Sequence, residues 1–255
     1  MLLALDVGNT NIVAGCIDDN GILFSERIKT DTSKTDLEYV VLFDAILDLH
    51  GVDKSDIEGI AVSSVVPPVN SVLTAAIRKM LGKTPLFVGP GIKTGINIAI
   101  DDPSSAGSDL IVDAVAGLND YGAPLIMIDM GTATTVTVLD KNKNFIGGAI
   151  MPGVGATMDS LVNKTSQLPR IALEAPEKPV GRNTVDSMKS GIIFGQASAL
   201  DGMIDRIWEE LGYETAIVAT GGLASSIISD CRHDITVDDN LILKGLKIIY
   251  DKNKN

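Results

Sequence analysis

At 255 residues the chain is long enough for one large domain or two of ordinary size, and its 45% hydrophobic content can fill a substantial core. A net charge of −12, with no basic run, argues against a nucleic-acid or anionic-membrane partner, since both need clustered Lys and Arg. No apolar run approaches the ~20 residues of a membrane span, Met1-Leu2-Leu3 lacks the basic start of a signal peptide, and Cys16 and Cys231 form no CxxC pair. These features predict a soluble, cytoplasmic protein whose two thiols are buried or half-buried.

In chain order, the first predicted strand runs into Asp6-Val7-Gly8-Asn9-Thr10-Asn11, and a second apolar run starts at Ile12-Val13. A turn at 18–21, a strand over 22–28 and a helix over 35–49 follow. Thr35 and Glu38 are spaced as a capping box, and Gly51 stops that helix. Next come a strand over 57–65, a helix over 69–81, a strand over 86–88 and an apolar helix over 110–118. Asp109 stands where that last helix begins, a position that ordinary helix-start electrostatics also explains.

The pattern then repeats. Leu125-Ile126-Met127-Ile128-Asp129-Met130-Gly131-Thr132-Ala133-Thr134-Thr135-Val136 matches the start of the chain, with Asp129 in the place of Asp6. A turn at 140–144, a strand over 145–150, helices over 156–162 and 187–211, a strand over 216–219, a helix over 223–229 and a strand over 235–237 complete the second copy. Residues 252–255 read as a loose tail. Three strands followed by helix-strand-helix-strand, twice, define an α/β chain of duplicated βββαβαβ halves. The halves are expected to face each other across a cleft, with both Asp-x-Gly turns pointing into it.

Those turns suit phosphate chemistry. Gly8 and Gly131 can adopt positive φ and aim backbone N–H groups at a ligand, while Asn9, Thr10, Asn11, Thr132, Thr134 and Thr135 offer amides and hydroxyls. Asp6 and Asp129 can accept a hydrated Mg²⁺ or a monovalent cation. An Asx-rich hairpin turn is the plainer reading of either copy alone; two in register favour phosphate. The Walker pattern G-x-x-x-x-G-K-[ST] is absent. Thr220-Gly221-Gly222, between a strand and a helix, would let a phosphate or flat ring approach the backbone, and the glycine-rich stretch 147–153 reads as a cleft loop. His50 and His233 read as surface residues.

Read together, Asp6-Val7-Gly8-Asn9-Thr10, Ser63-Ser64-Val65-Val66-Pro67, Gly89-Pro90-Gly91-Ile92-Lys93-Thr94-Gly95, Asp129-Met130-Gly131-Thr132, Gly181-Arg182-Asn183-Thr184 and Thr220-Gly221-Gly222 resemble the type III pantothenate kinases of the actin-like ATPase superfamily, over nearly the whole chain. The resemblance implies duplicated ribonuclease H-like halves, 1–120 and 121–255, and transfer of the ATP γ-phosphate to pantothenate, the first step of coenzyme A biosynthesis. It assigns ATP and Mg²⁺ to Asp6, Val7, Gly8, Asn9, Thr10, Asn11, Ile12 and Val13, with Thr132, Gly221 and Gly222 also at the nucleotide. Asp129 would ligate K⁺ or NH₄⁺, Asp109 would be the general base, and Ile100, Gly107, Ser108, Asp109, Leu110 and Thr184 would bind pantothenate. The resemblance also implies a homodimer, with Thr184 reaching the neighbouring subunit's pantothenate.

The chain departs from the family pattern on the acceptor side. Gly-Ala-Asp-Arg reads Gly107-Ser108-Asp109-Leu110 here, a Tyr before Asn-Pro reads Ile100-Asp101-Asp102-Pro103, and a helix Asn is Asp113. A lost guanidinium–carboxylate contact is commonly worth ~1.5–3 kcal/mol, about ten- to hundredfold in affinity; Arg182 and Lys164 are candidates to compensate. The alternative expectation is a family member that binds nucleotide but uses another acceptor or acts as a regulator.

Overall fold

The computed structural model describes residues 1–254. Three antiparallel strands, β1 (Leu2–Val7), β2 (Asn11–Asp18) and β3 (Gly21–Lys29), open the first sheet. The Asp18 carboxylate makes the predicted turn by accepting the N–H groups of Asn20 at 2.7 Å and Gly21 at 3.1 Å. In α1 (Asp36–Leu49) both halves of the Thr35/Glu38 capping box are formed, and Tyr39, Phe43 and Leu47 bury one stripe of the helix at four-residue spacing. β4 (Gly59–Ser64) returns parallel to β1, α2 (Pro67–Leu81) follows, and β5 (Leu86–Phe87) gives the order β3-β2-β1-β4-β5. β1 is apolar on both faces because both are covered. Leu3, Leu5 and Val7 pack with α1 and α2, while Leu2 and Ala4 pack on the other side.

The second sheet holds β6 (Asn97–Ile98), β7 (Leu125–Met130), β8 (Ala133–Leu139), β9 (Asn144–Pro152), β10 (Ala216–Thr220) and β11 (Thr236–Val237), in the order β11-β10-β7-β8-β9-β6. Without β6 this is the first sheet's order repeated, so the duplication is real. Helices α3 (Ser108–Asp120), α4 (Val154–Lys164), α5 (Thr184–Leu211), α6 (Ala224–Ile228) and α7 (Leu241–Asn253) complete the described α-helices. Ile192, Ile193, Ala197, Leu200 and Ile204 from α5 bury against Ile126, Ile128, Val136 and Val138 of the second sheet.

The chain forms two compact units, one of residues 1–96, 102–116 and 240 onward, the other of 97–101 and 117–239. Besides moving the boundary to 116/117, this division departs from a cut at 120/121 in two ways. β6, from the linker, pairs in parallel with β9 of the second sheet, and α7 packs on the first sheet, where Leu243, Leu246 and Ile249 join Leu2, Ala4, Ile17 and Ala61. No helix over 241–253 was expected, and Lys252 and Asn253 belong to it rather than to a tail; Asn255 lies outside the described residues. Asn253 anchors the end of α7, accepting the Lys93 N–H at 3.0 Å and donating to its carbonyl at 2.9 Å. Leu246→Ala should cost about 2–5 kcal/mol, the usual range for a fully buried Leu. Urea denaturation followed by far-UV circular dichroism would show it as a lowered midpoint.

The stretch 147–153 is not a loop: all but Gly153 lies in β9. Gly148 is needed because a Cβ there would overlap the Val136 carbonyl of the neighbouring strand. His50 is exposed, as expected, whereas His233 is half-buried. His50 stacks on Phe24 at 4.2 Å and meets Glu26 at 2.9 Å, and His233 packs edge-on to Trp208. Cys16 is buried and Cys231 half-buried, both free, as expected. Burial pushes the Cys16 thiol up to about 11 and Cys231 to about 12, so neither should react with iodoacetamide in the native protein near pH 8; mass spectrometry of the labelled chain would check this. Among the described residues no helix is long and apolar enough to cross a membrane.

Candidate active site

In the first unit, Asp6 stands one residue before the end of β1, between Val13 of β2 and Ser63 of β4 in the ladders. The turn beyond it closes through Gly8 N–H to the Asn11 carbonyl at 3.0 Å. Thr30, at the end of β3, braces the turn from outside: its hydroxyl donates to the Gly8 carbonyl at 2.6 Å and its N–H to the Thr10 carbonyl at 2.9 Å. Asn9 and Thr10 are exposed at the tip. Neither Gly8 nor Gly131 adopts the positive φ expected of it. Gly8 is instead constrained by space, since a Cβ would come within 3.2 Å of the Asn11 carbonyl.

Asp109 lies in the first turn of α3. Burial raises its pKa above the usual carboxylate value, opposed by hydrogen bonds from backbone N–H groups, among them that of Leu110 at 2.8 Å. Gly107 clears the space the carboxylate occupies, because a Cβ there would overlap an Asp109 oxygen. Ser108 turns away from it onto the end of β4, where its Oγ accepts the Ser64 N–H at 3.0 Å. Leu110 is half-buried, and Asp113, one turn further along α3, is buried.

In the second unit, Asp129 stands near the end of β7, flanked in the ladders by Thr135 of β8 and Thr220 of β10. The Thr135 hydroxyl is buried and accepts or donates no hydrogen bond. Gly221 is the glycine that does need its freedom: at φ +99° it passes over Asp129, and a Cβ would lie 2.7 Å from Asp129 Oδ1 and from Met130 backbone atoms. Gly222 and Thr132 are exposed beside these strands. Ile100, just past β6, lines a cavity of about 580 Å³ with Asp101, Val138, Ile146, Met203 and Arg206. Thr184 is the exposed first residue of α5, whose cap is Asn183 accepting the Asp186 N–H at 2.9 Å.

The structure therefore gathers Asp6, its turn, Gly107, Ser108, Asp109 and Leu110 in the first unit. Asp129, Thr132, Thr184, Gly221, Gly222 and Ile100 belong to the second. Sequence reasoning missed Thr30 and the role of Ser63 and Ser64. The available signal was a pair of serines ending a buried parallel strand, the end at which such sheets bind ligands. Among the described residues no three His, Cys, Asp or Glu side chains gather as a metal cluster. The donors do fit hard cations: single carboxylates at strand ends, and beside Asp129 an oxygen without an internal partner.

Two copies of the same strand-turn-strand sheet, each with a carboxylate at the turn, define an actin-like ATPase fold, the architecture of a large group of phosphotransferases. Residues 2–206 match the sequence profile of the type III pantothenate kinases. The chain is 42% identical over 255 residues to the type III pantothenate kinase of Brevibacillus brevis, covering 100% of both chains. It is also 42% identical over 253 residues to that of Halalkalibacterium halodurans, covering 99% of this chain and 100% of the other. The crystal structure of component A of (R)-2-hydroxyglutaryl-CoA dehydratase from Acidaminococcus fermentans superposes with a TM-score of 0.59 at 14% identity, covering 99% of each chain, a likeness of fold alone. The chain belongs to the type III pantothenate kinase family and is a kinase that transfers phosphate to an alcohol.

Proposed function

We propose that the protein transfers the γ-phosphate of ATP to the primary hydroxyl of pantothenate, yielding 4'-phosphopantothenate and ADP, the first step of coenzyme A biosynthesis, with Asp109 as the general base. The observation that carries the assignment of the base is the Asp109 carboxylate itself, buried enough to hold its pKa above the ordinary value and given room by Gly107. Phosphoryl transfer asks a protein for positioning and charge neutralisation more than for covalent chemistry. Asp109 accepts the hydroxyl proton as the alcohol oxygen attacks phosphorus and ADP leaves.

The residues of the first turn, Asp6, Val7, Gly8, Asn9, Thr10, Asn11, Ile12 and Val13, would hold the phosphates, and Asp6 would help hold a Mg²⁺, which would supply charge neutralisation. Thr132, Gly221 and Gly222 contact ATP. Asp129 ligates K⁺ or NH₄⁺, a reading supported by the unpartnered Thr135 oxygen across the ladder. Gly107, Leu110 and Ile100 are assigned to the acceptor, with Thr184 reaching that of the neighbouring subunit; Leu110 and Ile100 would give apolar contact in place of a guanidinium and a phenol. The reading includes a homodimer. Two free thiols support a reducing compartment such as the cytoplasm. No observation favours a different acceptor or a purely regulatory role.

The test is ADP release by the purified protein with ATP, Mg²⁺ and K⁺ or NH₄⁺, with and without pantothenate. Pantothenate-dependent ADP supports the assignment; nucleotide binding with no response to pantothenate overturns it.

A further inference from the structure

The first turn of α3 is fastened to the end of β4 through a single hydroxyl. Ser108 Oγ accepts the Ser64 N–H at 3.0 Å, donates to the Ser64 carbonyl at 3.2 Å and lies 3.1 Å from the fully buried Ser63 Oγ. A hydroxyl has one proton and two lone pairs. With the proton on the Ser64 carbonyl and one lone pair on its N–H, the remaining lone pair accepts from Ser63. All three capacities are spent within the protein, so none is left for a substrate.

What Ser108 is fastened to is equally well held. β4 lies beside β1 with Asp6 opposite Ser63 and Val7 opposite Ser64, and the Val65 N–H donates to the Val7 carbonyl at 3.1 Å. The Ser64 hydroxyl donates to Asn70 Oδ1 at 2.5 Å and accepts the Val66 N–H at 3.2 Å. Asp109 is the next residue along the chain from Ser108. One strand pair and one hydroxyl thus connect it to the turn that follows Asp6.

We propose that Ser108 is a positioning residue, whose hydroxyl holds Asp109 at a set distance from the Asp6 phosphate turn and does not touch the acceptor. The proposal rests on the phosphotransfer reading above and replaces the expectation that the Ser108 side chain binds pantothenate. Loss of the clasp leaves Asp109 chemically intact but free to shift, and a displacement near 1 Å in an active site can cost ~100-fold in rate.

Steady-state kinetics in ATP and in pantothenate would be measured for Ser108→Ala, Ser108→Thr, Ser63→Ala and Asp109→Asn, beside thermal melting of each. Ser108→Ala should lower kcat about tenfold with both KM values within about twofold of the parent, the pattern of a defect felt in the transition state. Ser63→Ala, which removes one of the three bonds, should lower kcat less, and Ser108→Thr, which keeps the hydroxyl, should recover most of it. A raised pantothenate KM at full kcat in Ser108→Ala would overturn the proposal in favour of direct contact. An unchanged kcat, or a loss accounted for by unfolded protein, would also overturn it. If the Thr methyl itself lowers the melting point, Ser63→Ala decides, and parental kcat there counts against the clasp. Turnover retained in Asp109→Asn would instead remove the general base. An inactive Asp109→Asn beside a fully active Ser108→Ala would remove only the clasp.

Discussion

Replacing Asp109 with Asn should abolish pantothenate-dependent ADP release while leaving ATP binding and the fold in place, a loss of about 10²–10⁴-fold, the span typical of a general base. Asn has the shape of Asp, so it fits the space that Gly107 leaves and keeps an oxygen for the Leu110 N–H. What it cannot do is take a proton. In the parent enzyme, burial raises the Asp109 pKa, so kcat should rise with pH along a limb lying above the ~3.9 of an ordinary Asp. Stability should move the other way. Between the unfolded and the raised folded pKa, the native state binds more protons than the unfolded chain, so stability falls as pH rises through that window. Asn carries no such penalty. The inactive variant should therefore melt higher than the parent near neutral pH, and the gap should close on acidification below the unfolded pKa. Calorimetry across that range, beside a pH–rate profile of the parent, tests both signs; a parent limb at the ordinary Asp position would contradict the burial argument.

The second large effect is expected at Gly221→Val. A β-branched residue cannot adopt φ +99° without strain, and its Cβ would fall 2.7 Å from Asp129 Oδ1 and from Met130 backbone atoms that cannot move aside. The left-handed conformation alone costs a non-glycine residue about 1–2 kcal/mol, and the overlap adds more, so a loss of about 3 kcal/mol or greater is expected. Gly131→Ala is the control. Gly131 has no positive φ, and a Cβ there would meet the Ala133 carbonyl at 3.6 Å, an ordinary contact. That substitution should leave the denaturation midpoint almost unchanged, and any fall in ATP affinity would report on the turn's surface rather than on folding. Guanidinium unfolding monitored by the fluorescence of Trp208, which packs in the second unit, reads both variants. Equal midpoints for the two would refute the argument.

These two glycines also show where sequence reasoning succeeds and where it stops. The duplicated strands were legible because β1 and β7 are unbroken apolar runs ending in Asp-x-Gly, and because caps and Asx turns are local chemistry: Thr35 with Glu38, Asp18 with Asn20 and Gly21, Asp140 with Asn142 and Asn144. Which glycine needs its backbone freedom depends on what the fold brings above it, so Gly8 and Gly131 were misread while the constraint falls on Gly221. Gly148 reads as a loop residue in the sequence because its close neighbour, Val136, is on another strand. α7 was missed for the same reason. Gly245 in its middle looks like a breaker, but a Cβ there would overlap the Val112 carbonyl, so the glycine lets α7 lie close against α3. β6 is two residues long, and its partner strand starts at Asn144. Within the site, Asp6 and Asp129 stand out as carboxylates at strand ends, whereas Asp109 reads from the residues alone as an ordinary helix-start Asp and is marked as the base only by the family resemblance. Gly107, Thr30 and the serines around Ser108 act through tertiary contacts that no spacing reveals.

α7 has a consequence for how the protein is made. The face of β1 and β4 that carries Leu2, Ala4 and Ala61 is translated early, yet the helix that supplies Leu243, Leu246 and Ile249 emerges only after the whole second unit. Throughout that interval α3, through Val112 and Val115, is the one helix that covers this face, and a partly covered apolar surface is the kind of feature that chaperones shield and proteases exploit. A chain lacking α7 would keep every residue of the second unit but lose Leu243, Leu246 and Ile249 from the cover of the first sheet, leaving that face to Val112 and Val115 of α3. The sheet that carries Asp6 thus depends for part of its cover on a helix about 180 residues downstream of β4.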